Sequence, residues 1–184
     1  MSGDGGDPFD SLPAAIAADV LGRVADAADI GACRLTSRAL LAASYTCSRV
    51  RLRAAALARR RGGGGGGPPG PAIRAAAWNV ASLLGPHLRS LELDASEGWG
   101  HPDDATWVEE GEFDEGHDLH LTAREAVMAW ADTAAGPALR EVDIADYWPQ
   151  SCWRKAEALP VISHFCNSLS ISAFFTVCFM FLAM

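Results

Sequence analysis

Residues Asp114 to His120, DEGHDLH, place His117 and His120 three positions apart beside Asp114, Glu115 and Asp118. Imidazole and carboxylate together are the donors a divalent metal takes. Ligand spacing this local also arises in an exposed acidic loop with incidental histidines, and that plainer reading is preferred. No metal is assigned. The five cysteines, Cys33, Cys47, Cys152, Cys166 and Cys178, include no Cys-x-x-Cys pair. Their odd number argues against a disulfide framework, and the spacing against a compact zinc site, so a reducing compartment is expected. Cys33 and Cys47 lie in apolar, helical company and read as buried thiols rather than nucleophiles. The run GGGGGG is followed by no lysine, so it is not a phosphate cradle, and no Gly-x-Ser-x-Gly or His-Glu-x-x-His occurs. The sequence therefore supports no catalytic residue, no cofactor and no enzyme.

Charge is unevenly spread along the chain. The formal net charge of −8 disfavours general nucleic-acid binding. Residues 49–74 nevertheless carry seven arginines and no acid, while residues 75–121 carry eleven acids against Arg89 alone. RVRLRAAALARRR, Arg49 to Arg61, reads as a solvated last helix with cations near its C-terminus, where the helix dipole favours them. A nuclear-import or nucleic-acid patch is the alternative. The belt can also attract the acidic segment in a salt-sensitive contact.

Composition divides the chain into an acidic leader (1–8, expected disordered), a helical region (9–58), an Arg/Gly/Pro linker (59–71), a second folded region (72–171) and an apolar tail (172–184). The start, MSGDGGDPFD, has neither a basic nor an apolar stretch of signal-peptide kind. In the helical region Ile16, Val20, Leu21 and Val24 recur at helical spacing. Ser11 can cap that helix, and Pro13 suits a first turn whose amides lack partners. Asp26 or Asp29 can cap a second helix carrying Ile30 and Cys33. Ser37 can start a third with Leu40 and Leu41 inward. Three short helices of this size expose more apolar surface than they can bury alone, which calls for a partner.

FDSLPAAIAADVLGRVADAADIGACRLTSRAL, Phe9 to Leu40, resembles an F-box: an aromatic, then Leu-Pro, an apolar helix, an acidic turn, and a cysteine-bearing helix running into Leu-x-Ser-Arg. The resemblance implies a three-helix module that docks on the Skp adaptor and through it a cullin. The adaptor-facing residues it implies are Phe9, Leu12, Pro13, Ile16, Leu21, Ile30, Cys33, Leu35, Ser37 and Arg38. The family often carries an aromatic where this chain has Leu40, which would weaken docking. An amphipathic helical hairpin packed on its own protein is the alternative.

Beyond the linker, AIRAAAWNVASLLG reads as a helix stopped by Gly85-Pro86. LRSLELD places apolar residues at Leu88, Leu91 and Leu93, and LREVDIAD repeats the frame at Leu139, Val142 and Ile144. CNSLSI (Cys166, Leu169, Ile171) is a weaker copy, and DLHL, ending at Leu121, a degenerate one. The spacing lies in the range of leucine-rich repeats, where strand alternates with helix. TAREAVMAWADTAAG opens with the capping-box pattern Thr122-x-x-Glu125 and ends at Gly136-Pro137, and WRKAEALPVISHFC gives a helix broken at Pro160. An irregular α/β domain is the alternative reading. The expected fold is thus mostly α with an α/β part: an N-terminal three-helix F-box, then a short, degenerate leucine-rich-repeat-like segment.

The pairing resembles the plant F-box/leucine-rich-repeat proteins. It implies a non-catalytic substrate-recognition subunit of an SCF-type (Skp–cullin–F-box) E3 ubiquitin ligase in protein degradation, acting in nucleus or cytoplasm on an unknown protein substrate, with no nucleic acid. The last sixteen residues, LSISAFFTVCFMFLAM, fall short of the roughly 20 apolar residues of a spanning helix. They are expected to be a shortened or alternative C-terminus, with a membrane tail anchor through 169–184 as the alternative. A decoy lacking a complete substrate domain is a further alternative function.

Overall fold

The computed structural model describes residues 7–54, 56, 70–95, 121–145 and 151–169. Three short helices come first: α1 (Ala14–Val24), α2 (Ala27–Thr36) and α3 (Arg38–Ser44). Strand β1 (Arg49–Arg53) follows, then α4 (Gly70–Leu84), β2 (Ser90–Asp94), α5 (Arg124–Ala131), β3 (Glu141–Ala145) and α6 (Ser151–Phe165). Helices and a small parallel sheet match the expected fold class. The leader up to residue 6, residues 57–69 (most of the expected 59–71 linker, whose last two residues instead begin α4), the His117/His120 segment and the tail from residue 170 lie outside the described residues.

Each early helix starts for a local reason. Asp26 caps α2, its Oδ1 accepting from the amides of Ala28 and Asp29. Ser37 caps α3, accepting from the Leu40 amide at 3.1 Å. The first helix departs from expectation: Pro13 stands at its N-cap and no side chain caps it, so Ser11 does not serve. Proline lacks the amide that would need a partner there, which makes a cap less necessary. Asp7 belongs to the fold rather than to a disordered leader. Its Oδ2 accepts from the Ser37 hydroxyl at 2.6 Å and the Arg38 amide at 3.0 Å, tying the leader's end to the start of α3.

The expected helix over Arg49–Arg61 is corrected at its beginning: Arg49–Arg53 is a strand. RVRLR alternates with period two, and only a strand puts Val50 and Leu52 on one buried face and all three arginines on the other. The order is β1-β2-β3, all parallel. The register pairs Val50 with Leu91 and Leu52 with Leu93, then Leu91 with Val142 and Leu93 with Ile144. All six side chains are buried against the helices. Just before each strand stands another buried residue, Cys47, Leu88 or Leu139. The connections repeat too: the Arg89 and Ser90 amides donate to the Ser48 carbonyl, and those of Arg140 and Glu141 to the Arg89 carbonyl. The repeat is real, and β1 is its first copy.

Two expected copies differ. Leu121 lies in a turn, fully buried beneath the helices, and the ladder passes directly from β2 to β3. Cys166 is buried in the frame position, but residues 166–169 form a turn after α6, and Ile171 lies outside the described residues. Helix α5 has Ala123 at its N-cap with no side-chain cap, so the Thr122–Glu125 box is not formed; Thr122 is buried in the core instead. Helix α6 runs through Pro160 unbroken. The ring lies at an exposed position, and the loss of one amide donor interrupts a helix less there than in a packed groove. Gly85 takes φ 48° after α4, as a left-handed helix stop requires. At Gly136 a Cβ would collide with the Ala131 carbonyl, so only glycine lets the turn close on α5.

Behind the sheet, Ile73, Ala77, Ala81 and Leu84 of α4 join Val127 and Trp130 of α5 and Ala158, Val161 and Ile162 of α6 in one core. That core is continuous with Ala17, Leu21, Ile30, Leu40 and Ala43 of the three-helix region. A backbone link accompanies it. Ala25, at a left-handed φ of 56°, turns the chain so that its carbonyl accepts from the Arg51 amide at 2.8 Å, and Asp26 forms a parallel bridge with Arg51.

Candidate docking surfaces

Helix α1 buries Ala17 and Leu21 and leaves an aliphatic stripe outward. Ala17 and Leu21 are buried, whereas Ile16, Val20 and Val24, each four residues apart, remain exposed, with Leu12 just ahead of the helix. Ile16 is 51% exposed, against 1% for Leu21. A stripe of branched aliphatics at helical spacing left in water is what a surface awaiting a partner looks like. Helix α1 packs on α3, with Ala17 and Leu21 on one side and Leu40 and Ala43 on the other buried in the contact region.

The ten residues implied as adaptor-facing separate into three groups. Leu12, Pro13, Ile16, Leu35 and Arg38 are exposed, Leu35 at 89%. Phe9 and Cys33 are partly buried, resting against the core. Leu21, Ile30 and Ser37 are buried: the first two fill the chain's own core, and Ser37 is sealed between Asp7 and the Leu40 amide. A module of three short helices has few apolar residues, so some of the pattern must serve its interior. Val20 and Val24, not among the ten, share the exposed stripe, as their spacing from Ile16 marks. Leu35 borders a separate open hollow of about 590 Å³ with Asp10, Arg34, Arg38 and Leu41. Arg34 lies over the Tyr45 ring, 5.1 Å from its centroid, and reaches its hydroxyl at 3.3 Å.

Electrostatics fixes both ends of this region. The Ser37 hydroxyl, and after it the Phe9 amide, hold the Asp7 carboxyl below the usual carboxylate value. Burial pushes the Asp26 carboxyl up, but the Arg53 guanidinium at 2.6 Å and the Ala28 and Asp29 amides outweigh it and leave the group lowered. Asp26 therefore starts α2 and clamps β1 at once.

The second surface is the outward face of the sheet. Arg49, Arg51 and Arg53 stand on β1, Ser90, Glu92 and Asp94 on β2, and Glu141, Asp143 and Ala145 on β3. Arg51 pairs with Glu92 at 2.6 Å, which raises its already high pKa, and Arg49 with Glu141 at 3.3 Å. The thiols of Cys33, Cys47 and Cys166 are free. Burial pushes Cys47 up, and Cys166 to about 11, so neither is a thiolate near neutrality. Among the described residues no metal-holding group of His, Cys, Asp and Glu occurs, and no helix is long and apolar enough to cross a membrane.

A small helical module with an exposed aliphatic stripe, joined to stacked parallel strands with helices behind, defines an interaction protein. Over 52 residues the chain is 42% identical to an F-box/LRR-repeat protein of Arabidopsis thaliana. The match covers 28% of this chain and 11% of that protein, and it supports an F-box role. No family model and no solved structure matches the chain.

Proposed function

We propose that the protein is a substrate-recognition subunit of an SCF-type E3 ubiquitin ligase, docking on a Skp-family adaptor, and through it a cullin, by way of residues 9–48. The observation that carries this reading is the aliphatic stripe Leu12, Ile16, Val20 and Val24, left in water by a module whose interior is already filled by Ala17, Leu21, Ile30, Leu40 and Ala43. A protein substrate then meets the outward face of the β1–β2–β3 sheet. The chain contributes no bond-making group: it raises the local concentration of the substrate at the ligase, which converts a bimolecular encounter into an effectively intramolecular one. The free thiols fit action in the reducing nucleus or cytoplasm. The test is complex formation. The full chain mixed with a recombinant Skp adaptor should co-elute in size-exclusion chromatography, and separate elution at micromolar concentrations overturns the reading.

A further inference from the structure

Ala25 stands where α1 passes into α2, at φ 56° and ψ −36°, and across it the Asp26 amide donates to the Val24 carbonyl at 2.6 Å. This is a γ-turn of the rare, strained hand. Among the described residues no other non-glycine residue has a positive φ, and at Gly85, with φ 48°, the chain uses glycine. Alanine at such an angle brings its Cβ against the neighbouring backbone, which glycine would not. A turn of this kind persists only where its surroundings over-determine it. Here the Ala25 amide closes α1 on the Leu21 carbonyl at 2.9 Å, and the Ala25 carbonyl accepts from the Arg51 amide of β1 at 2.8 Å. One residue on, buried Asp26 accepts from Arg53 Nε at 2.6 Å and from the Ala28 amide at 2.9 Å. The bend between α1 and α2 is thus fastened to β1 at two points. Val24, the last member of the outward stripe, immediately precedes it.

We infer that the Ala25 turn is a strained latch between the three-helix region and the sheet. Closed, it holds the outward stripe of α1 and the outward face of β1–β2–β3 in one relation, so that occupants of the two surfaces are carried at a set distance. Opening relaxes the turn to a negative φ and breaks the Arg51–Ala25 and Arg53–Asp26 bonds. The helices then stay tied to the sheet through the shared core and residues 45–48. The residue at position 25 sets the balance. Alanine makes the closed state less favourable than glycine would, which keeps opening a local event rather than one that needs the whole core. The latch is a property of the chain alone, whatever docks on either surface.

The experiment is amide hydrogen exchange followed by NMR on the full chain. Arg51 reports the latch, and Leu93 in the central strand reports global opening. In the wild type Arg51 should exchange at least about tenfold faster than Leu93, at a rate that low denaturant leaves unchanged. Equal exchange of the two amides would show that the joint opens only with the core, and would overturn the inference. Exchange at Arg51 should also follow the strain: about threefold slower in Ala25→Gly, whose backbone accepts the angle, and about tenfold faster in Ala25→Val, whose branched side chain does not. Arg53→Ala, which removes the second fastening, should speed it as well. An unchanged or faster rate in Ala25→Gly, or an unchanged rate in Arg53→Ala, overturns the latch even if Ala25→Val fails to fold. Residual dipolar couplings of the wild type should fit one alignment tensor across α1–α3 and the three strands; two tensors would show that the closed joint fixes nothing.

Discussion

Replacing Ile16 and Val20 together by alanine separates a docking stripe from a core. Full burial of such a side chain stabilises by about 1.5–3 kcal/mol. Ile16 is 51% and Val20 45% exposed, so about half of each remains to be covered by a partner. Each then contributes roughly 1 kcal/mol to docking, and the pair about 2 kcal/mol, a loss of roughly thirtyfold in adaptor affinity. The halves already buried limit the damage to the fold, and a melting-temperature drop of only a few degrees is expected. Leu21→Ala is the contrasting variant. At 1% exposure it leaves a cavity costing about 2–5 kcal/mol of folding stability. At a temperature where both variants are folded, calorimetric titration with the adaptor should show the double variant weak and Leu21→Ala near wild type. The reverse order, or an unchanged affinity for the double variant, would refute the assignment of the stripe.

Asp26→Ala removes a helix cap and the partner of Arg53 together, and about 2–3 kcal/mol of stability should be lost, seen as a denaturation midpoint shift. Asp26→Asn, which keeps a capping oxygen but no charge, should lose about half as much. Acid should act in two directions. Asp7 and Asp26 have lowered folded-state values, so their contribution is present above the ordinary value of 3.8 and is lost as pH falls through the lowered ones. Asp143 has a raised value, so its ionisation opposes folding as pH rises through that value. Thermal melts between about pH 3 and 7 should therefore rise less steeply for Asp7→Asn at the acid end, and Asp143→Asn should melt higher than wild type near neutrality.

Much of this architecture is written locally. Gly85-Pro86 stops α4 as expected, whereas α5 ends earlier, at Ala131, and Gly136-Pro137 opens only the short turn before β3; three residues after each proline-containing turn's end the Leu-x-x-apolar-x-apolar frame enters the sheet. Asp26 and Ser37 cap as their chemistry demands. The first strand was hidden by its neighbours: arginines and an alanine run are good helix formers, and they outweighed the alternation of Arg49 to Arg53. What decided it was a remote partner, since Val50 and Leu52 align with Leu91 and Leu93 across forty-odd residues. The docking residues were half legible. Apolar periodicity marks α1, but it cannot say which apolar residue meets the interior and which meets another protein. The packing of α1 on α3 settled that, burying Ala17 and Leu21 and leaving Ile16, Val20 and Val24 outward. The sheet face could not be read at all before β1 was placed, since the pairing of its arginines with Glu92 and Glu141 depends on the register.

The bond from the Arg51 amide to the Ala25 carbonyl, with Arg53 held by Asp26, has a practical bearing. Stacked-repeat proteins need something to shield their terminal rungs from water. Here that lid is the three-helix region of residues 14–44. Deleting residues 9–48 would strip the roof from the first strand and expose Val50 and Leu52. Any test of the outward stripe is better made by surface substitutions on α1, which leave the joint whole.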